Sequence, residues 1–303
     1  MLLSPLSLHA FTAGATSQDP AGPAERLAAA LGLDVTPIAL HRFPDGESLV
    51  TATGAGRTAI LFRSLDNPNA KLIETLFAAA ALRRQGAEKL ILAAPYFSYM
   101  RQDKEFTPGQ AVSAAIVGQW IGEAFDAVVT VAPHLHRIAR LDDVVTSPVA
   151  LALDPGALMA DGLPRDGGGK MFVLGPDEES EPLVRSFAAR LGAPFAVARK
   201  VRHGDRAVDV TLSPQALANA RVILIDDMIS TGETLAACAR QARAAGATKI
   251  DAVTAHVVGP ADPTPVLRAA GIDRLYSCDT LAHDSNRFET APLIAEALKS
   301  LIG

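Results

Sequence analysis

Apolar positions along the chain follow two alternating rhythms. Leu6 to Phe11, Thr58 to Phe62, Lys89 to Ala94 and Ala127 to Val131 read as strands, and Thr58 to Phe62 is of the continuously apolar kind expected inside a parallel sheet. Between them, Pro23 to Leu31, Asn69 to Gln85 and Thr107 to Ile121 show helical spacing, and Gly32 and Gly86 stop the first two. A second series follows a boundary expected after Ser147-Pro148. Its strands are Met171 to Leu174, Phe195 to Lys200, Arg221 to Ile225 and Ile250 to Val258. Its helices are Glu181 to Leu191, Gly232 to Ala245 and Thr264 to Ala270. Ala291 to Leu301 closes the chain as a helix. This alternation predicts an α/β protein of two similar domains, each a mainly parallel sheet flanked by helices. The expected extents are 1–148, joined by the helix of 288–303, and 149–287.

The two halves also share wording. Arg83-Arg84-Gln85-Gly86-Ala87-Glu88-Lys89-Leu90 parallels Arg243-Ala244-Ala245-Gly246-Ala247-Thr248-Lys249-Ile250. Upstream, Arg57-Thr58-Ala59-Ile60-Leu61-Phe62 parallels Arg221-Val222-Ile223-Leu224-Ile225-Asp226. A duplicated α/β unit accounts for both matches.

Composition narrows the function classes. With 303 residues the chain is long enough for two cores. A net charge of -5 and only 5% aromatic residues give neither the basic field nor the stacking surface of a nucleic-acid binder. No apolar stretch is long enough to span a membrane, and the apolar start lacks the basic flank of a signal peptide and reads as a first strand. Cys238 and Cys278 form neither a disulfide framework nor a metal spacing, so a reducing, cytoplasmic location is expected. Cys238, in an alanine-rich helix, reads as a small core residue.

Candidate chemistry starts at the end of one apolar strand. Val222-Ile223-Leu224-Ile225 runs into Asp226-Asp227-Met228-Ile229-Ser230-Thr231-Gly232-Glu233-Thr234, expected as an acidic loop leading to a helix. The carboxyl edge of a strand beside a helix N-terminus is where ligands sit in open α/β sheets. Backbone N–H groups of such a turn hold phosphate, Gly232 permits close approach, and the hydroxyls of Thr231 and Thr234 add donors. Asp226 and Asp227 would repel phosphate. They suit sugar hydroxyls, directly or with a divalent cation nearby. The loop therefore predicts a sugar phosphate as ligand. In the first half the corresponding segment is Arg63-Ser64-Leu65-Asp66-Asn67-Pro68-Asn69, and the paired acids are gone. That half is expected to do something else.

Two of its segments suggest what. His41-Arg42-Phe43-Pro44-Asp45-Gly46-Glu47 offers an aromatic face and two carboxylates around a tight turn, suited to stack on a base and accept from its amine. Tyr96-Phe97-Ser98-Tyr99-Met100-Arg101-Gln102-Asp103-Lys104-Glu105-Phe106 follows a strand and presents Arg101 beside Gln102, a pair suited to phosphate oxygens and a ring.

The acidic segment resembles the phosphoribosyl pyrophosphate loop of type I phosphoribosyltransferases. Together with Phe43 to Glu47 and Arg101-Gln102-Asp103, in the same order and at about the same spacing, the whole chain resembles the ribose-phosphate pyrophosphokinases. The resemblance implies two domains of the type I phosphoribosyltransferase kind. It implies synthesis of phosphoribosyl pyrophosphate from ribose 5-phosphate and ATP with Mg²⁺, in a homo-oligomer of at least two subunits. By the same resemblance, Phe43, Asp45 and Glu47 are adenine contacts supplied across a subunit interface. Arg101, Gln102 and His134 are ATP-binding residues, and His134 and Asp177 are metal-associated. Lys200 and Arg202 are the catalytic basic pair. Asp226 and Asp227 hold the ribose hydroxyls, within a ribose 5-phosphate segment completed by Ser230, Thr231, Gly232, Glu233 and Thr234.

Three departures stand out. Ala132 replaces an aspartate common two positions before the metal-associated histidine, a change that can remove a group orienting it. Glu178-Glu179 replaces a glycine pair, so the pyrophosphate-facing turn is rebuilt or its side chains point away. Ser230 replaces a common aspartate and lowers the local negative charge. Two other readings stand beside the pyrophosphokinase: a non-catalytic regulatory homologue, and a phosphoribosyltransferase acting on a base.

Overall fold

The computed structural model describes residues 5–11, 22–165, 169–198 and 217–302 of the chain. Two compact units meet in sequence between Leu153 and Asp154, and the chain returns to the first at Thr290. The division falls five residues beyond the expected Ser147-Pro148 boundary because Val149–Leu153 is itself a strand, paired in parallel with Ala127–Val131.

The first unit contains β1 (Leu6–Phe11), α1 (Pro23–Leu31), β2 (Val35–Arg42), β3 (Ser48–Thr51), β4 (Thr58–Phe62), α2 (Pro68–Arg84), β5 (Lys89–Ala94), α3 (Ser113–Ala124), β6 (Ala127–Val131) and β7 (Val149–Leu153). Its sheet has the order β3-β2-β1-β4-β5-β6-β7, parallel except for the β2–β3 hairpin. The apolar runs of β4 to β6 are explained by this position. Ala59 and Leu61 pack with Leu72, Leu82 and Val117 of α2 and α3 on one face. Ile60 and Phe62 pack with Leu27 of α1 and Ile294 and Leu298 of the closing helix on the other. The sequence helix of Thr107 to Ile121 begins later than expected, at Ser113. Gly109 has φ +91°, and the Thr107 N–H donates to Gln110 Oε1 at 3.1 Å, so 107–110 forms a turn instead of a first helical turn.

The second unit contains α4 (Gly156–Gly162), β8 (Met171–Gly175), α5 (Glu181–Leu191), β9 (Phe195–Val197), β10 (Arg221–Ile229), α6 (Glu233–Ala244), β11 (Lys249–Val257), α7 (Thr264–Ala269), β12 (Arg274–Cys278) and β13 (Asn286–Phe288). Its sheet is parallel throughout, in the order β13-β12-β11-β10-β8-β9. Val222 and Leu224 face α6, and Ile223 and Ile225 face α4 and α5. Cys238 is buried in the α6 face as a small apolar residue. Helix α8 (Ala291–Ile302) packs against α1 and β6 of the first unit. Among the described residues no helix is long and apolar enough to cross a membrane.

The repeated wording corresponds to a repeated device. Arg83, at the end of α2, donates to the carbonyls of Ala87 and Glu88 and pairs with Asp126 at 2.6 Å, and Asp126 accepts from the Leu90 N–H. Arg243, at the end of α6, donates to the carbonyls of Ala247 and Thr248 and pairs with Asp273 at 2.7 Å, and Asp273 accepts from the Ile250 N–H. The turn glycines between helix and strand both have positive φ, +100° at Gly86 and +89° at Gly246. Matching at this level goes beyond what βα units share in general and favours a duplicated unit.

Candidate active site

In each unit the parallel strands end on one edge, so their following loops are neighbours. At the second unit's carboxyl edge, β10 does not stop at Ile225 as the sequence suggested. It pairs with β11 through Asp226↔Thr254 and Met228↔His256 to Ile229↔Val257. Asp226 and Asp227 therefore sit on a rigid strand extension, and only Ser230 to Gly232 forms the turn. Aspartate is a poor strand former, which is why the acids read as loop. The longer β11 supplies the backbone partners that hold them extended.

Burial there is costly and specific. The Asp226 carboxyl is driven well above the usual carboxylate range, first by desolvation, then by the charge of Asp227 and of Asp177. Asp177 follows β8 and caps a short turn, its Oδ1 accepting from the Ser180 N–H at 3.1 Å. The side chain of Ser180 donates back to the Asp177 carbonyl at 2.6 Å. This turn is formed by the Glu178-Glu179 pair, and both glutamates are exposed. Three acids thus crowd one strand edge. Carboxylate oxygens are hard donors, and their mutual repulsion is what a divalent cation relieves, so the donor set fits Mg²⁺.

Next to the acids, Gly232 is left-handed at φ +80° and caps α6, which has no side-chain cap. A Cβ on Gly232 would meet Leu267 Cδ2 at 3.0 Å and Pro263 Cβ at 3.3 Å. The turn is therefore reserved for glycine on both conformational and steric grounds. It leaves the first-turn N–H groups of α6 facing the strand edge, the arrangement that binds anions.

At the first unit's carboxyl edge lie the hairpin between β2 and β3, the loop after β4, the loop after β5 and the loop after β6. The hairpin is the tight turn read from the sequence. Phe43 N–H donates to the Glu47 carbonyl at 2.8 Å, Gly46 has φ +95°, and Asp45 accepts from the Glu47 N–H at 3.1 Å. Phe43, Asp45 and Glu47 are all exposed, with Phe43 in edge contact with His41. Arg101 and Gln102 are exposed in the loop after β5, where Gln102 Oε1 accepts from Ser113 at 2.8 Å. His134, in the loop after β6, is half-buried and lies with its ring centroid 3.3 Å from that of His136. These two loops are joined by Asp103 and Arg137, and Arg137 also lies over the Phe106 ring. The Phe43 hairpin is tied to α2 instead.

Three non-glycine residues in these edge loops adopt left-handed backbone: Asn67 after β4, Tyr99 after β5 and Ala132 after β6. Alanine has no side-chain oxygen to support that conformation, whereas aspartate, common at position 132 in the resembling family, tolerates it better. Strain of this kind collects at functional edges.

Lys200 and Arg202 lie outside the described residues, as does the end of the strand expected to Lys200. Sequence reasoning missed Glu74 and the Asp103–Arg137 pair. A glutamate inside the long helix α2 gave no signal until its buried partners were known.

A two-unit α/β fold with an acidic strand end beside an uncapped helix turn defines a protein of the phosphoribosyltransferase class, and residues 156–287 match the model of the phosphoribosyl transferase domain. Residues 16–124 match the N-terminal domain of ribose phosphate pyrophosphokinase. The ribose-phosphate pyrophosphokinase of Methanopyrus kandleri is 31% identical over 92% of this chain and 95% of its own length. That of Halobacterium salinarum is 33% identical over 91% and 96%. A crystal structure of phosphoribosylpyrophosphate synthetase from Mycobacterium smegmatis has the same fold, with a TM-score of 0.81 over 98% of both chains at 24% identity. The chain belongs to the ribose-phosphate pyrophosphokinase family and is an enzyme of phosphoribosyl pyrophosphate synthesis.

Proposed function

We propose that the enzyme transfers the β,γ-pyrophosphoryl group of ATP to the C1 hydroxyl of ribose 5-phosphate, giving phosphoribosyl pyrophosphate and AMP. The observation that carries this reading is the strand edge of the second unit, where acids crowd beside an anion-holding turn. Asp226 and Asp227 accept hydrogen bonds from the ribose hydroxyls. Ser230, Thr231, Gly232, Glu233 and Thr234 hold the 5-phosphate through backbone N–H groups and hydroxyls. Phe43 stacks on adenine, with Asp45 and Glu47 accepting from its amine. Arg101, Gln102 and His134 hold the triphosphate.

The C1 oxygen attacks the β-phosphorus in line. The bond from that phosphorus to the oxygen bridging it to the α-phosphorus breaks, AMP leaves with the electron pair, and the hydroxyl proton passes to solvent. Alignment and charge neutralisation carry such a step. Lys200 and Arg202 stabilise charge that grows on the bridging oxygen. Asp177 in the second unit and His134 in the first are each metal-associated by the family resemblance, and Mg²⁺ would supply charge neutralisation on the phosphate oxygens when bound.

The working form is a cytoplasmic homo-oligomer of at least two subunits. An exposed apolar band supports this part of the reading. It comprises Leu49 on β3, Ile73 and Phe77 one turn apart on α2, and Ile116 and Trp120 one turn apart on α3. A base phosphoribosyltransferase would leave the Phe43 hairpin and Arg101 without a task.

The test is product analysis with ribose 5-phosphate, Mg²⁺ and ATP. AMP and a phosphoribosyl product in equal amounts are expected. ADP without AMP, or no turnover, overturns the proposal. Lys200→Ala should lower kcat strongly while ribose 5-phosphate binding stays nearly intact, because its contact is made in the transition state.

A further inference from the structure

In the duplicated unit Ala59 pairs with Leu90 and Val222 with Ile250, and because Leu90 and Ile250 are the matched residues of the repeated device, this register sets Arg63 against Asp226. The two positions carry residues of opposite character, a base and an acid. Asp226 belongs to the acidic edge that the proposed reaction uses. Arg63 turns inward and is 2% exposed, its guanidinium 3.7 Å from the Phe11 ring centroid. Its Nη2 donates to Glu74 Oε2 at 2.6 Å, and its Nη1 to the Lys71 carbonyl at 3.3 Å.

Glu74 is fully buried on α2. Its second oxygen, Oε1, accepts from Arg42 Nη2 at 3.0 Å and from Ser48 Oγ at 3.0 Å. Arg42 ends β2 and Ser48 begins β3, so the two residues bracket Phe43 to Glu47 on either side. One carboxylate therefore ties both feet of the hairpin to the helix. A buried carboxylate with three charge-assisted or hydroxyl donors is a stiff joint, because moving any partner leaves a buried charge under-satisfied. An exposed five-residue turn would otherwise sample many conformations.

We propose that Glu74 is a positioning residue for nucleotide binding: held from below by Arg63, it clamps Arg42 and Ser48 and so fixes the hairpin that presents Phe43, Asp45 and Glu47. The place that holds a ligand in the second unit has become an internal strut in the first. This rests on the hairpin being the adenine contact, as in the proposed function.

The test uses the full-length enzyme with Arg42→Met, Ser48→Ala and Glu74→Gln. The first two variants keep the buried Arg63–Glu74 pair, so they report on the clamp even where Glu74→Gln fails to fold. KM for ATP should rise about fivefold in Arg42→Met and less in Ser48→Ala, the scale of one lost hydrogen bond to a charged group. KM for ribose 5-phosphate should stay within about twofold, since it binds on the other unit. In the ligand-free protein, backbone amides of 43–47 should lose hydrogen-exchange protection in both variants, while those of β4 and β5 keep theirs. An unchanged KM for ATP in both variants, an equal rise in both KM values, or unchanged exchange in the hairpin overturns the clamp. Absence of turnover in the unmodified enzyme overturns the proposed reaction instead, and the exchange measurement still decides whether Glu74 fixes the hairpin.

Discussion

Arg137 Nη1 lies 3.1 Å from both carboxylate oxygens of Asp103, and the Asp103 side chain is only 1% exposed. This contact fastens the loop after β5, which carries Arg101 and Gln102, to the loop after β6, which carries His134. Both loops contain a left-handed non-glycine residue, so neither is held in place by favourable backbone geometry alone. Removing the tie by Arg137→Met leaves a buried carboxylate under-satisfied and frees two strained loops. A loss of about tenfold in kcat/KM for ATP is expected, with a fall in thermal midpoint of a few degrees. Steady-state kinetics with each substrate varied in turn checks this. An equal loss for ATP and ribose 5-phosphate would point to general unfolding instead of loop placement.

Asp226 is a buried acid whose charged form costs stability. Its folded carboxyl holds a proton to higher pH than the unfolded one, so the folded state binds more protons above the ordinary carboxylate range. Its stabilising share is present at low pH and falls as pH rises through the raised value. Asp226→Asn removes the charge and keeps the shape. The ligand-free variant should melt above the unmodified enzyme at pH 8, and the gap should shrink at pH 5. Added Mg²⁺ should raise the melting point of the unmodified enzyme more than that of the variant. Activity should fall by about a hundredfold or more, because an amide replaces a charged acceptor for the sugar hydroxyls. Melting curves at two pH values with and without Mg²⁺ test the assignment. A variant less stable at pH 8 would contradict it.

The elements readable from sequence are those whose burial is uniform. After their first residues, β4, β5, β6 and the start of β10 are buried throughout and apolar except at Thr130, because helices cover both faces. By contrast, β2 carries Pro37 in mid-strand and exposes much of one side, and β3 is only four residues long beside it. Neither had a pattern that separated it from loop. β7 and β12 are short and lie toward or at the outer parts of their sheets, with partial burial that blurs the alternation. The acidic site was legible because acids at the end of an apolar run conflict with simple packing. Its geometry was not, since strand pairing with β11 is a long-range property that no local propensity encodes. Glu74 was hidden for the same reason: its partners Arg42, Ser48 and Arg63 come from three different segments.

Gly232 tests the proposed phosphate cradle separately from the acids. Gly232→Ala adds a Cβ at φ +80° and 3.0 Å from Leu267, so both backbone and side chain must shift. The left-handed conformation alone costs about 1 kcal/mol for alanine, and the contact adds to it. The turn between Ser230 and Glu233 would then open and misalign the N–H groups. KM for ribose 5-phosphate should rise about tenfold or more, with KM for ATP nearly unchanged. That is the reverse of the pattern expected for the hairpin clamp, so the two variants serve as controls for each other.

His9 gives the clearest pH signature of the first unit. It is fully buried in β1, its Nε2 is 2.8 Å from Ser7 Oγ, and its Nδ1 has no hydrogen-bond partner among the described residues. Ser7 Oγ also accepts from the Gly56 N–H at 2.8 Å, which frees its own proton for the imidazole. A protonated ring would bury a charge with one N–H unsatisfied, and desolvation pushes the His9 pKa down from 6.5 to about 4. The unfolded ring takes up a proton below about 6.5 while the folded ring stays neutral until about 4. Between those values the unfolded state binds more protons, so stability is fully present above the upper value and is lost as pH falls toward the lower. The loss amounts to about 2 kcal/mol by pH 4 once relaxation of the ring's surroundings is allowed for. His9→Met keeps the volume, leaves the Ser7–Gly56 contact in place and removes the titration. Urea unfolding of the first unit's signal at pH 7.5, 6, 5 and 4.5 should show the unmodified protein losing stability faster than the variant on acidification. Parallel curves for the two proteins would show that His9 titrates normally and that its burial does not govern acid sensitivity.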